Sequence, residues 1–175
     1  MLTSVPRRPS IVGPIRTTRP SAGARIAPAD GSIVDASPAE EPSFLRGEAV
    51  RVSIFLSLFD VHINRAPCAG RVREVVVSPG RFVVAWKSEA SAVNARTLIH
   101  LQGAFGDIFV RQVAGVLARR IVTRVRPGQE VRAGERIGMI RFGSRVDLLL
   151  PDGVATRVQV GDHVRGGESI IGVVA

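Results

Sequence analysis

The chain contains a glycine–serine step, Phe142-Gly143-Ser144-Arg145, and three histidines, His62, His100 and His163. Gly143 offers an unhindered carbonyl in a backbone that tolerates strain, a setting in which the next serine hydroxyl can attack its own peptide bond. A Gly-Ser step alone is commonplace in turns. His62 follows a long apolar run in Phe59-Asp60-Val61-His62-Ile63-Asn64-Arg65-Ala66-Pro67, where polar residues crowd a strand end. Taken alone it fits a core histidine better than a proton-transfer group. His100, in Leu98-Ile99-His100-Leu101, reads as a satisfied strand histidine; His163, in Val160-Gly161-Asp162-His163, reads as a solvated loop residue. No pair of histidines has metal-ligand spacing and Cys68 is alone, so no metal is expected. The glycine-rich turns lack the Gly-Lys-Ser/Thr of a phosphate-binding loop.

Such residues need a scaffold, and 175 residues suffice for one domain with a sizeable core. The composition is 45% hydrophobic but only 5% aromatic, without tyrosine, so valine and isoleucine build the interior and favour strands. Short apolar or alternating runs recur at Val50 to Ile63, Arg71 to Val77, Phe82 to Trp86, Thr97 to Gln102 and Ile108 to Val113. They continue at Ile121 to Val125, Glu135 to Phe142, Arg145 to Leu150 and Ile170 to Val174. Turn residues separate them at the spacing of an antiparallel β domain. Gln112 to Arg120 is the best helical stretch.

An offset of 33 aligns Arg126–Phe142 with Gln159–Ala175, giving V-x-x-G-E-x-I twice, as in the hairpins of biotinyl and lipoyl carrier domains. Two β-turns built alike explain the match most simply; it also supports barrel-sandwich-like hairpins. The expectation is a mainly β protein: a flexible basic arm over residues 1–24, then a single antiparallel β domain over 25–175 with few helices.

The formal charge of +9 comes almost wholly from arginine, since Lys87 is the only lysine. It suits nucleic acid, a phosphate-bearing metabolite or an acidic membrane surface. Aromatic residues interleaved with basic ones, as single-stranded nucleic acid needs for stacking, are lacking, so no nucleic-acid partner is expected. No apolar run is long enough to span a bilayer, and the proline-broken N-terminus does not resemble a signal peptide. The location read from this is cytoplasmic, touching a membrane from outside. The lone cysteine excludes an internal disulfide.

Three separated pieces, Pro28-Ala29-Asp30-Gly31, the Asp60–Pro67 block and Phe142-Gly143-Ser144-Arg145, occur in an order that resembles the phosphatidylserine decarboxylases. The resemblance is to the short class without N-terminal membrane helices. Gln112-Val113-Ala114-Gly115, Ala118-Arg119-Arg120-Ile121 and the closing Gly161-Asp162 to Gly167-Glu168 segment look like that class too. The likeness runs from about Ile26 to the C-terminus. Longer family members carry a second histidine where Arg65 stands, and a family Asn-Glu-Arg segment appears here as Asn94-Ala95-Arg96.

What the resemblance implies is a proenzyme that cuts itself between Gly143 and Ser144 into a β chain, 1–143, and an α chain, 144–175. Ser144 becomes a covalent pyruvoyl group, His62 activates the Ser144 hydroxyl, and Asp30 orients His62. The pyruvoyl carbonyl then forms a Schiff base with phosphatidylserine, releasing carbon dioxide and phosphatidylethanolamine. A built-in carbonyl agrees with a chain whose only lysine is Lys87. The implied partners are phosphatidylserine and an anionic membrane surface, and a homo-oligomer stays open. Two alternatives stand beside this: a non-catalytic carrier-like β module, and a pyruvoyl decarboxylase of another amine.

Overall fold

A computed structural model of the chain describes residue 21 and residues 23–39, 49–87, 89–117, 120–141 and 143–174. Nearly all of the expected basic arm, with Arg7, Arg8, Arg16 and Arg19, lies outside the described residues. The valine- and isoleucine-rich runs form β1 (Ala24–Ile26), β2 (Gly31–Ala39), β3 (Ala49–Leu56), β4 (Ile63–Arg65), β5 (Gly70–Ser78), β6 (Arg96–Gly103) and β7 (Gly106–Val113). After these come β8 (Ile121–Thr123), β9 (Glu130–Val131), β10 (Arg136–Ile140), β11 (Ser144–Pro151), β12 (Val154–Thr156), β13 (His163–Val164) and β14 (Ile170–Val174). The one helix among the described residues is α1 (Ala90–Val93). No helix there is long and apolar enough to cross a membrane.

The main sheet has eight strands in the order β13-β2-β3-β11-β7-β6-β5-β9, flanked by three-stranded sheets β4-β10-β8 and β1-β14-β12. Neighbouring strands run antiparallel, as expected for a mainly β domain. Alternation sends Val146, Leu148 and Leu150 of β11 into the principal core with Ile54, Leu56, Ile108 and Val110. On the opposite face Leu98, Phe109 and Leu149 form a smaller apolar cluster.

Three local expectations are corrected. Gln112 and Val113 end β7, and no helix follows over the described part of 114–120. Val113 lies in the ladder opposite Arg96 and Arg145, while Gly115 has poor helix propensity. The Phe82–Trp86 run is not a strand. Asn94 Oδ1 accepts from Val83 N and its Nδ2 donates to Val83 O, occupying groups a ladder would use. The Val50–Ile63 run breaks after Leu56, where Asp60 Oδ2 accepts from both Ser57 N and Ser57 Oγ and folds the chain into a turn.

The internal repeat is deeper than its sequence signal. Gly128 and Gly161 have φ of 88° and 97°, and Gly134 and Gly167 have 78° and 84°. Gly128 N donates to Val72 O as Gly161 N does to Ile33 O; Gly134 N donates to Ala66 O as Gly167 N does to Ala27 O. Each V-x-x-G-E-x-I turn therefore closes on an Ala-Pro-x-x-Gly segment, Ala66–Gly70 in one half and Ala27–Gly31 in the other. The halves meet where Arg65 Nη1 donates to Gly134 O at 2.9 Å while its stem packs beside Gly167. Arg65, the departure from the longer family pattern, thus ties the two repeats together.

Candidate active site

Ser144 opens β11 and pairs with Leu56 at the end of β3. The pleat that buries Val146 and Leu148 turns the Ser144 side chain to the same face, and the residue is fully buried. Its hydroxyl has no hydrogen-bond partner among the described residues. A buried donor without a partner costs about 1–3 kcal/mol, so such a group is rarely kept without a use. Gly143, just before it, has φ of 63°, a left-handed conformation that glycine adopts at little cost, and nothing lies within 4 Å of where a Cβ would be.

The Gly143 carbonyl is seated against Gly115. A Cβ on Gly115 would overlap the Gly143 carbonyl oxygen and come within 3.4 Å of Ala85 Cβ. The peptide that would be cut is thus wedged between a turn only glycine makes easily and a backbone only glycine leaves open.

His62 lies at the far end of the same neighbourhood. Its carbonyl accepts from Ile140 N at 3.2 Å, and Ile63 then enters β4 opposite Met139 of β10. Two connections, Leu56 to His62 and Ile140 to Ser144, are therefore tied to each other at both ends. Ser144 is four residue steps from Ile140, a span of at most about 14 Å. Asp30 sits across β3 from Ser144: it precedes Gly31 in β2, and its Oδ1 accepts from Gly166 N at 2.8 Å. Its turn is joined to the histidine segment through Pro28 O, which accepts from Arg65 N at 2.8 Å.

A buried polar chain fixes the small sheet against the large one. Gln112 Nε2 donates to Asn64 Oδ1 at 2.7 Å, and Thr123 Oγ1 donates to Gln112 Oε1 at 2.8 Å. Asn64 and Thr123 flank Gly138 in the β4-β10-β8 sheet, and Gln112 lies over it; a Cβ there would stand 2.7 Å from Gln112 Nε2. Beyond Ser144, Arg145 is buried on the opposite face. Its Nε donates to Asp147 Oδ1 at 2.6 Å, Nη2 to Ser53 Oγ at 2.6 Å and Nη1 to Lys87 O at 3.2 Å. Ser91 of α1 also donates to Asp147, which anchors the segment that covers this face.

The remaining histidines divide. His100 is a strand histidine as expected, in β6, stacked on Phe109 with ring centres 4.4 Å apart, but its Nε2, 3.4 Å from Asp107, makes no hydrogen bond among the described residues. His163 is exposed but is no loop residue. It pairs with Ser32 in β13, with Nε2 3.4 Å from Asp60 and Nδ1 3.3 Å from Ser32 Oγ. Lys87 lies in a turn outside both repeat hairpins, unlike the presented lysine of a carrier domain. The roles of Gly115, Gln112 and Arg145 lie outside the sequence reading. Gln112-Val113-Ala114-Gly115 carries the signal as a motif but shows no contact partner.

The profile of the phosphatidylserine decarboxylase family matches residues 10–172. The chain belongs to the phosphatidylserine decarboxylase family. It is 44% identical over 138 residues to the phosphatidylserine decarboxylase proenzyme of Carboxydothermus hydrogenoformans, covering 79% of this chain and 65% of that protein. Identity is 44% over 150 residues with the proenzyme of Desulfotalea psychrophila, covering 85% and 70%. With that of Nitrobacter winogradskyi it is 46% over 151 residues, covering 84% and 59%. Two of these family proteins are thus matched over less than two thirds of their length.

Proposed function

We propose that this chain is a phosphatidylserine decarboxylase proenzyme that cleaves itself at Gly143-Ser144. The observation that carries the reading is the buried, unpartnered Ser144 hydroxyl beside a left-handed Gly143 whose carbonyl is wedged against Gly115. In this reading Ser144 Oγ attacks the Gly143 carbonyl carbon and the C–N bond breaks, leaving an ester and a free Ser144 amine. Removal of the Ser144 α-proton expels the Gly143 carboxylate and leaves dehydroalanine, whose hydrolysis releases ammonia.

A serine hydroxyl needs a base to attack. His62 is assigned that task and Asp30 the orientation of its ring, the division of labour of a Ser-His-Asp triad. The two contacts that join these connections, His62 with Ile140 and Leu56 with Ser144, favour this, as does the Pro28–Arg65 hydrogen bond that links the Asp30 turn to the histidine segment. The pyruvoyl group so made at residue 144 supplies a carbonyl that takes the substrate amine and accepts electrons as carbon dioxide leaves. The wedge at Gly115 holds the turn that precedes residue 144. The substrate is phosphatidylserine, met at an anionic membrane surface by a peripheral protein on the cytoplasmic side.

Carbon dioxide release from carboxyl-labelled phosphatidylserine tests this reading. Wild-type protein is expected to release label, and Ser144→Ala to release none. A carbonyl reagent such as hydrazine should abolish activity and, condensing to a hydrazone with loss of water, shift the mass of fragment 144–175 alone. Lys87→Arg should retain most activity. Its complete loss in a normally cleaved protein would point to lysine chemistry instead.

A further inference from the structure

Three separate segments bring apolar side chains to the surface around Gly143. Leu58 and Phe59 come from the β3–β4 connection, Trp86 from the turn before α1, and Leu117 from the segment after β7. They are 55%, 97%, 60% and 68% exposed and line a depression of about 310 Å³ with Gly143. Trp86 is held edge-on to Phe55, ring centres 5.4 Å apart, so its position is fixed although its outer part is bare.

A basic surface adjoins this one through two short chain links, from Gly143 back to Arg141 and from Leu117 on to Arg120. Arg120, Arg124 and Arg141 surround Val122 and Met139 in a second depression of about 260 Å³, and no carboxylate among the described residues lines it.

We propose that these two surfaces form one face that docks on an anionic phospholipid bilayer. Leu58, Phe59, Trp86 and Leu117 enter the interface, and Arg120, Arg124 and Arg141 meet lipid phosphates. The proposal rests on the decarboxylase reading for its occupant and adds the residues that make contact. Amphipathic tryptophan with phenylalanine and leucine suits the boundary between headgroups and acyl chains, and the planar guanidinium fork matches phosphate oxygens. Charge selects the bilayer over a second copy of the chain: a two-fold contact on this face would bring two sets of three arginines together. Docking here brings Gly143, which lines the depression, to the membrane and so sets the lipid headgroups beside the Gly143-Ser144 step while the acyl chains stay in the bilayer.

Trp86, the only tryptophan, sits in the face and reports on it directly. Vesicles of phosphatidylcholine with phosphatidylserine, or with phosphatidylglycerol, are titrated into the full chain at low and high salt. The expected result is a blue shift of Trp86 emission, quenching by brominated acyl chains, and weaker binding to phosphatidylcholine alone. Phe59→Ser with Leu117→Ser should weaken vesicle binding roughly tenfold or more. Arg124→Gln with Arg141→Gln should weaken it about fivefold per arginine and flatten its salt dependence. The readout needs neither self-cleavage nor turnover, so Ser144→Ala protein shows the same shift whether or not the decarboxylase reading holds. Three results would overturn the proposal: no binding to anionic vesicles at low salt, co-sedimentation with Trp86 emission unchanged, or wild-type affinity in the Phe59/Leu117 variant.

Discussion

The backbone of Gly115 lies against the carbonyl of Gly143 so closely that no side chain fits between them. The two glycines are 28 positions apart, the difference of their numbers. They meet because β7 and β11 are neighbours in register, Arg145 opposite Val113, so the chain beyond Val113 runs alongside the chain before Arg145.

Gly115→Ala should therefore impair self-cleavage. The carbonyl must shift or the strand ends must part, and overpacking of this kind costs about 1–3 kcal/mol. A misalignment worth ~1.4 kcal/mol in the transition state slows cleavage about tenfold, which electrophoresis against time resolves. Gly153→Ala is the control: its φ of 85° imposes backbone strain but nothing lies near its Cβ, so its cleavage rate should match wild type.

Gln112→Met keeps the side-chain length and removes both of the hydrogen bonds that bridge Asn64 and Thr123. It leaves the buried Asn64 carbonyl oxygen without its donor and Thr123 Oγ1 without its acceptor. A loss of about 1–3 kcal/mol in denaturant unfolding is expected. An unchanged midpoint would show that the chain between the sheets does not hold them.

Arg145→Met should be the most destabilising single change, at ~3–5 kcal/mol, because it takes the nearest cation from a buried pair at most 1% exposed and leaves the Asp147 carboxylate only the Ser91 hydroxyl and the more distant Arg111, 3.9 Å away. Adding Asp147→Leu should restore much of the loss, since a buried ion pair is often matched by well-packed apolar residues. Thermal melts that place the double variant below the single one would contradict this.

Burial pushes the Asp35 carboxyl up, but hydrogen bonds from Arg51 and Ser37 and nearby arginine charge outweigh it and hold the group below its ordinary value. A depressed carboxyl stabilises the fold at neutral pH, and that contribution is lost as pH falls below about 4 towards the folded value. A quarter of each side chain in the Arg51–Asp35 pair is exposed, so solvent screens it. Arg51→Met should lower stability modestly at pH 7, and the difference from wild type should shrink below pH 4. A difference that widens on acidification would reverse the sign argued here.

The strands were legible because valine and isoleucine recur in short runs between glycine and proline turns, and Arg71 to Val77 or Ile170 to Val174 needed no tertiary information. Two-residue strands such as β9 and β13 were not, because nothing in Glu130-Val131 or His163-Val164 marks a ladder until the partner strand is present. The repeat was only half visible: V-x-x-G-E-x-I stands out, while its counterpart Ala-Pro-x-x-Gly, at Ala27 and Ala66, becomes a repeat only through matching hydrogen bonds. At the site, Gly143-Ser144 and the Asp60–Pro67 block were readable as motifs. The seat at Gly115 was hidden, because a glycine without a positive φ leaves its contact to a distant strand unannounced. His163 is exposed, as its polar turn suggested, but its place in a two-residue strand beside Ser32 and Asp60 was hidden for a similar reason.

Intact-mass measurement of the purified protein tests self-cleavage most directly. Wild type should resolve into residues 1–143 and residues 144–175, the smaller fragment carrying pyruvoyl in place of an N-terminal serine and resisting stepwise N-terminal degradation. Ser144→Ala should remain one chain of 18.7 kDa. His62→Ala should accumulate uncut chain, and Asp30→Ala should do so less severely. A wild-type protein that stays a single 18.7 kDa species after prolonged incubation and releases no carbon dioxide from phosphatidylserine would contradict the account.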